Sequence, residues 1–296
     1  MRVLSLVLLP LLVQAPQTQA TFTSRSDLVV LHVCVVDRNG YVGGLTKDEF
    51  VVQEDGRPQP IAFFEHDDTP VSVGLVLDSS GSMAPRRDAV IAAGMAFAES
   101  SHPADELFTL NFNERVWPGL AAGRGFTSDR GELRDALLRS GARGKTALFD
   151  AIDAALRHLD GGQQSRKVLI VVSDGGDNAS GTRYEDVLDG ALRRDVVIYT
   201  IGLADRDDRD AKPGLLRELA RVTGGESFFP KSNSDITPVM ERIARDIRSS
   251  YTLGYVPGER RGDGERRKIR VDVSSPRRHG LAVRARSLYV APRGRP

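Results

Sequence analysis

The sequence predicts an α/β protein: a doubly wound, mostly parallel sheet inserted in a small discontinuous β-sandwich. Three observations carry this. Between residues 70 and 249, strand-like and helix-like stretches alternate, the pattern of a parallel sheet covered by helices on both faces. Before and after that region lie short β-branched runs separated by turn residues. The later runs have no place in a sheet already closed by its last helix, so they are expected to pair with the earlier ones. Residues 71–77 (VSVGLVL), finally, are apolar or small at both alternating positions, the mark of a strand buried on both sides. The expected division is 1–20 a leader, 21–69 and 250–291 the two parts of the sandwich, 70–249 the α/β domain, and 292–296 a tail.

Taken in order, the chain opens on Met1-Arg2 and an apolar run, 3–13, too short to span a bilayer, followed by a small-residue site ending at Ala20. This reads as a cleaved secretory signal, with an uncleaved anchor as the other reading. Residues 27–37 form a β-branched strand ended by Arg38-Asn39-Gly40, and Cys34, the single cysteine, lies within it. With no partner for an intramolecular disulfide, Cys34 is expected to be buried or intermolecular. Residues 45–50 are a short turn or helical step. Strands follow at 50–54, ended by Asp55-Gly56, and at 61–65.

Within 70–249, Pro85 suits the first position of a helix over 86–100, with Val90, Ile91, Met95 and Phe97 at helical spacing. A strand at 107–112 and a short edge strand at 114–117 come next. Ser128 is expected to cap a helix that buries Leu133, Leu137 and Leu138. Thr146 is expected to open a helix reaching Leu159. Strands at 168–173, 196–201 and 226–229 alternate with helices at 184–194, 215–223 and 234–249. Gly224-Gly225 stops the second of these helices, and Ile236, Val239, Met240, Ile243 and Ile247 face inward from the last. Strands at 251–256, 268–273 and 281–286 finish the chain, with a charged hairpin tip at 260–267.

The strand 71–77 ends abruptly in Asp78-Ser79-Ser80-Gly81-Ser82, which places one carboxylate and two hydroxyls at alternate positions. The loop at the carboxyl end of a central parallel strand is where open α/β sheets bind ligands. These oxygens suit a hard cation such as Mg2+, and they equally suit capping of the next helix. Two further stretches, Gly144-Lys145-Thr146-Ala147-Leu148-Phe149-Asp150 and Val171-Val172-Ser173-Asp174-Gly175-Gly176-Asp177-Asn178, favour the cation. With them the sequence resembles the von Willebrand factor type A (VWFA) family, the Rossmann-like, integrin I-like fold. In that family an Asp-x-Ser-x-Ser loop, a Thr and a second Asp form a metal-ion-dependent adhesion site. The resemblance implies Asp78, Ser80, Ser82, Thr146 and Asp174 as metal ligands, with Asp150, Asp177 and Asn178 as candidates for hydrogen bonding around them. It implies Mg2+ as cofactor, or Mn2+ or Ca2+ in its place. The partner implied is a protein offering a Glu or Asp carboxylate to the open metal position. The lead-in, with Phe50-Val51-Val52-Gln53-Glu54-Asp55-Gly56 and Gln59-Pro60-Ile61, resembles exported bacterial VWFA-related domain proteins, which implies a periplasmic or secreted location. In related adhesion domains the last helix shifts when the metal position fills. Here the last helix runs straight into Tyr251, so it is either such a link to the sandwich or a fixed joint.

Composition and the remaining motifs bound the alternatives. Hydrophobic content of 40%, charge of 27% and a net charge of +1 describe an ordinary globular protein with no global pull toward nucleic acid or an anionic membrane. The five histidines lie far apart, and no Gly-x-Ser-x-Gly, His-Glu-x-x-His or phosphate-binding Gly-Lys-Ser/Thr motif occurs. The expectation is therefore a non-enzymatic binding module. The other readings are a structural protein of the cell envelope whose metal only stiffens the loops, and a divergent metal-dependent hydrolase.

Overall fold

The computed structural model describes residues 28–204, 211–258 and 264–291. The expected leader, the first half of the charged tip and the tail lie outside the described residues. The chain begins with β1 (Val29–Asp37), which turns at Gly40, φ +123°, into the short β2 (Gly40–Tyr41). A single turn at Lys47–Glu49 leads into β3 (Phe50–Glu54) and β4 (Arg57–Gln59). Asp55 and Gly56 join these two strands with φ of 48° and 80°. Positive φ at both central residues is what a tight hairpin demands, and Asp-Gly tolerates it best. β5 (Ile61–Glu65) completes the N-terminal part.

The middle of the chain alternates as its pattern predicts. Its strands are β6 (Val71–Asp78), β7 (Glu106–Phe112), β8 (Val116–Pro118), β9 (Arg166–Ser173), β10 (Val196–Gly202) and β11 (Ser227–Phe228). Its helices are α1 (Arg87–Ser100), α2 (Arg130–Leu138), α3 (Leu148–Leu159), α4 (Tyr184–Arg193), α5 (Pro213–Thr223) and α6 (Ile236–Arg248). The strands form one sheet in the order β11-β10-β9-β6-β7-β8, parallel except for β8. β6 lies at its centre, between β9 and β7, and every residue of it is buried. One face packs on α1, α2 and α6 through Val73, Leu75, Phe97, Leu137, Met240 and Ile243. The other packs on α3, α4 and α5 through Val76, Phe108, Ile152, Leu156, Val187 and Leu219.

The chain then returns to the first part through β12 (Tyr251–Tyr255), β13 (Arg266–Val273), β14 (Ala282–Arg284) and β15 (Leu288–Val290). β1 pairs antiparallel with both β12 and β14, and β5 adds to β12. The second sheet runs β15-β13-β3-β4. Leu31, Val33, Leu253 and Tyr255 from one sheet meet Phe50, Val52, Ile269 and Tyr289 from the other in a shared core. The sandwich is thus built from both ends of the chain, with the α/β sheet inserted between β5 and β12. No helix among the described residues is long and apolar enough to cross a membrane.

Several local expectations are corrected. Pro85 lies in a tight helical turn, Gly81–Arg86, and α1 starts only at Arg87, because the loop first swings Met83 into the core. Asp129, not Ser128, caps α2: its carboxylate accepts from the Glu132 N–H at 2.8 Å. Leu138 is 51% exposed and Ala136 takes the buried position expected of it, since the helix is too short for a third apolar row. α3 begins at Leu148 because the backbone of Thr146 is committed to Asn178. β2, β4 and β15 have two or three residues each, too few for a periodic signal.

Candidate metal centre

The site lies where β6 and β9 end side by side, over the junction from which the sheet extends both ways. Asp78 is the last residue of β6, and the chain there leaves the ladder. Its Oδ1 accepts from the Ser80 N–H at 2.8 Å, a local turn that aims the two serines back toward the strand end. The Ser80 and Ser82 hydroxyls are 3.1 Å apart, and Ser82 Oγ lies 2.5 Å from Asp174 Oδ2 on the neighbouring loop. The second oxygen of Asp78 accepts from Ser173 Oγ at 2.7 Å. Two carboxylates and three hydroxyls from separated stretches of sequence are thereby joined in one hydrogen-bonded group.

The third predicted stretch is strapped alongside. Gly81 N donates to Gly144 O, Arg143 N to Ser79 O, and Ala147 N to Asn113 O. Thr146 is buried and engaged through its backbone: its N–H donates to Asn178 Oδ1 at 3.0 Å, and its carbonyl accepts from Asn178 and Ala179. The structure therefore brings Asp78, Ser80, Ser82 and Asp174 into one bonded cluster. Thr146 sits on the adjoining loop without a side-chain bond to them.

Asp150, Asp177 and Asn178 frame these loops. Asp177 accepts from the Leu148 N–H at 2.9 Å, which satisfies a donor at the start of α3. Asp150 accepts from Gly181 and Thr182, tying α3 to the loop after Asp174. Ser173, Ser180 and Asn113 complete the frame and were not singled out from the sequence. Ser180 Oγ accepts from both Phe149 N and Asp150 N and donates to Asp177, while Asn113 holds Arg143 O. Their signal is weak: each is a lone polar residue at the end of an apolar strand or in a Ser/Asn-rich loop.

Asp78 and Asp174 are each 6% exposed, and among the described residues no Lys or Arg is paired with either. Burial pushes the Asp78 carboxyl up to about 6, against the downward pull of its bonds from Ser80 and Ser173. Ser82, in contrast, faces solvent. The group is thus an electron-rich floor, closed below and open on one side. Neighbouring ligands of a small octahedral cation, each about 2.1 Å from it, lie about 3 Å apart. The 3.1 Å between the Ser80 and Ser82 hydroxyls fits that spacing, the 2.5 Å between Ser82 Oγ and Asp174 Oδ2 is a direct hydrogen bond that a cation would replace, and the donors are the hard oxygens such a cation takes.

A family model for the von Willebrand factor type A domain matches residues 72–243. The chain belongs to this family. Among solved structures, a von Willebrand factor type A protein from Catenulispora acidiphila is similar at 15% identity and a TM-score of 0.53, over 91% of this chain and 75% of that one. Proximal thread matrix protein 1 from the mussel byssus, with a zinc-occupied MIDAS motif, is similar at 16% identity and a TM-score of 0.54, over 66% of this chain and 49% of that one. At these identities the likeness is one of fold. No curated protein sequence matches the chain. The matched region runs from β6 into α6, so the type A domain is the inserted α/β sheet, and the sandwich lies outside it.

Proposed function

We propose that this type A domain protein is an exported protein-binding module. In this reading Asp78, Ser80, Ser82, Thr146 and Asp174 hold one divalent cation, and a Glu or Asp of a partner protein fills its open position. The observation that carries the reading is the convergence of Ser80, Ser82 and Asp174 oxygens, 3.1 and 2.5 Å apart, at the end of the central strand. Only Ser82 among them is exposed, so an outside carboxylate reaches the cation from that side. The zinc in the mussel protein's MIDAS motif supports a divalent occupant. The all-oxygen donor set favours Mg2+, with Mn2+ or Ca2+ as substitutes. Asp150, Asp177 and Asn178 keep the loops in place without touching the cation. The module is presented on a sandwich formed by the described residues of the stretches 21–69 and 250–291.

Calorimetric titration of the chelator-treated protein with Mg2+ and Mn2+ tests the metal. Heat that saturates at one equivalent and vanishes in Asp78→Ala is expected, and no heat in the wild type would refute the reading. Capture of a partner in Mg2+ but not in chelator separates adhesion from a metal that only stiffens the loops. Export rests on residues 1–20, and N-terminal sequencing from the native host should begin at Thr21.

A further inference from the structure

Asp78 is held by two different strands. Its Oδ1 is fixed by its own loop, through Ser80 N at 2.8 Å. Its Oδ2 is fixed from β9, through Ser173 Oγ at 2.7 Å. Ser173 has no exposure to solvent, and its hydroxyl also accepts from Gly175 N at 3.0 Å. A hydroxyl carries a single proton and two lone pairs. With Gly175 N–H occupying the acceptor side, the Ser173 proton is directed at Asp78. The carbonyl of the same residue accepts from Leu203 N at 2.9 Å, which anchors Ser173 to β10. One side chain, immobilised from two further directions, therefore sets where the β6 carboxylate stands relative to the β9 loop that carries Asp174.

We infer that Ser173 is a positioning residue for the cation: it orients Asp78 and fixes its spacing from Asp174 without itself reaching the metal. This rests on the metal reading above and adds a role for a residue outside the five ligands. Both carboxylates are buried, so each must already point in the productive direction, and neither can swing through solvent to find it. Without the Ser173 hydroxyl, Oδ2 of Asp78 loses its bond from β9, and the carboxylate is held from its own loop alone. Hydrogen-bond partners of metal ligands commonly account for about 10- to 100-fold in metal affinity.

The test is Mn2+ and Mg2+ titration of the full chain as wild type, Ser173→Ala, Ser173→Thr and Ser173→Cys, with thermal unfolding of each in chelator. Ser173→Ala is expected to bind about 10- to 100-fold more weakly. Ser173→Thr, which keeps the hydroxyl on a strand that accepts β-branching, should restore affinity to within about threefold. A role confined to packing predicts the opposite order, because Ala is the smaller residue in this closed site. Should Ser173→Ala fail to fold, Ser173→Cys carries the test, since it keeps the shape and weakens the donor, and it too should lose at least tenfold. Wild-type binding with Ala or Cys variants within threefold of it would overturn the positioning role alone. Absence of binding in the wild type would instead overturn the metal reading and this role with it.

Discussion

At the residue scale, Asp78 makes a pH-dependent prediction. Its carboxyl, pushed up to about 6 chiefly by burial, favours the protonated form relative to an unfolded chain, where an aspartate titrates near about 3.9. The sign follows directly. Keeping Asp78 ionised costs the metal-free protein stability above about pH 6, and that cost is relieved as pH falls through 6 toward 4. A cation needs the ionised form, so Mg2+ affinity should fall by about tenfold per unit below about pH 6. Titrations at pH 7.5, 6.5, 5.5 and 4.5 measure this, and affinity that is flat between 6.5 and 4.5 contradicts it. That Asp78, Ser80, Ser82 and Asp174 come together was legible in the sequence because separated motifs agree in residue type and order, and Thr146 follows on the adjoining loop. The framing residues were not, because Ser173 and Ser180 act through single hydroxyls whose partners lie 95 and about 30 residues away. Nothing local in the sequence distinguishes such a serine from a solvated one.

At the scale of elements, α6 is the helix whose inward stripe was legible and whose most consequential residue was not. Ile236, Met240, Ile243 and Ile247 bury as their spacing predicts. Asp246, a charged residue on the same face, is 1% exposed. Its Oδ1 accepts from the Cys34 thiol of β1 at 2.8 Å, and its Oδ2 from the Tyr199 hydroxyl of β10 at 2.6 Å and from Arg284 of β14. Arg284 continues to Glu226, which also pairs with Arg242. Arg166, fully enclosed, donates to Ile247 O and Ser250 Oγ where α6 ends, so a cation meets the carbonyl end of the helix. Burial, and then the Asp246 charge, push the Cys34 thiol well up, which leaves it a buried, unreactive thiol, as expected of a cysteine inside a strand. Asp246→Ala should destabilise the protein by about 3–5 kcal/mol, the cost of leaving a buried guanidinium short of its partner. Urea unfolding measures this, and a loss under about 1 kcal/mol would mean that the group is not acting as a unit.

At the scale of the molecule, the same cluster bears on the two readings of the last helix, and three further contacts join it. Gly224, at φ +91°, lies so close to the strand-forming end of the chain that a Cβ there would stand 2.6 Å from Arg286 N. Arg286 bridges Asp195 of the type A domain and Val30 O of β1. Val290 of β15 buries against the helices α3, α4 and α5 cover. These favour a fixed joint. Spin labels on Cys variants of exposed Arg134 in α2 and Arg270 in β13 should give one narrow distance, the same in Mg2+ and in chelator; Cys34 is too buried to be labelled. A broad, split or metal-shifted distance would favour a helix that moves. The discontinuous sandwich was legible because its C-terminal strands had nowhere else to pair, whereas the wedge made by residues 284–290 was not, since it rests on contacts between remote segments. The ion pair between Asp68 and Arg248 has a consequence for how the chain assembles. It closes the neck of the insertion at 2.6 Å, between residues 180 apart in sequence. On a nascent chain, β1 emerges first and its partners β12 and β14 last, a long-range pairing that is slow to find from an open coil. Once the inserted domain has folded, its two ends are already neighbours, and the entropy of closing that long loop no longer falls on the sandwich. β5 and β12 then meet as the two arms of a hairpin do, with an entire metal-site domain serving as the turn.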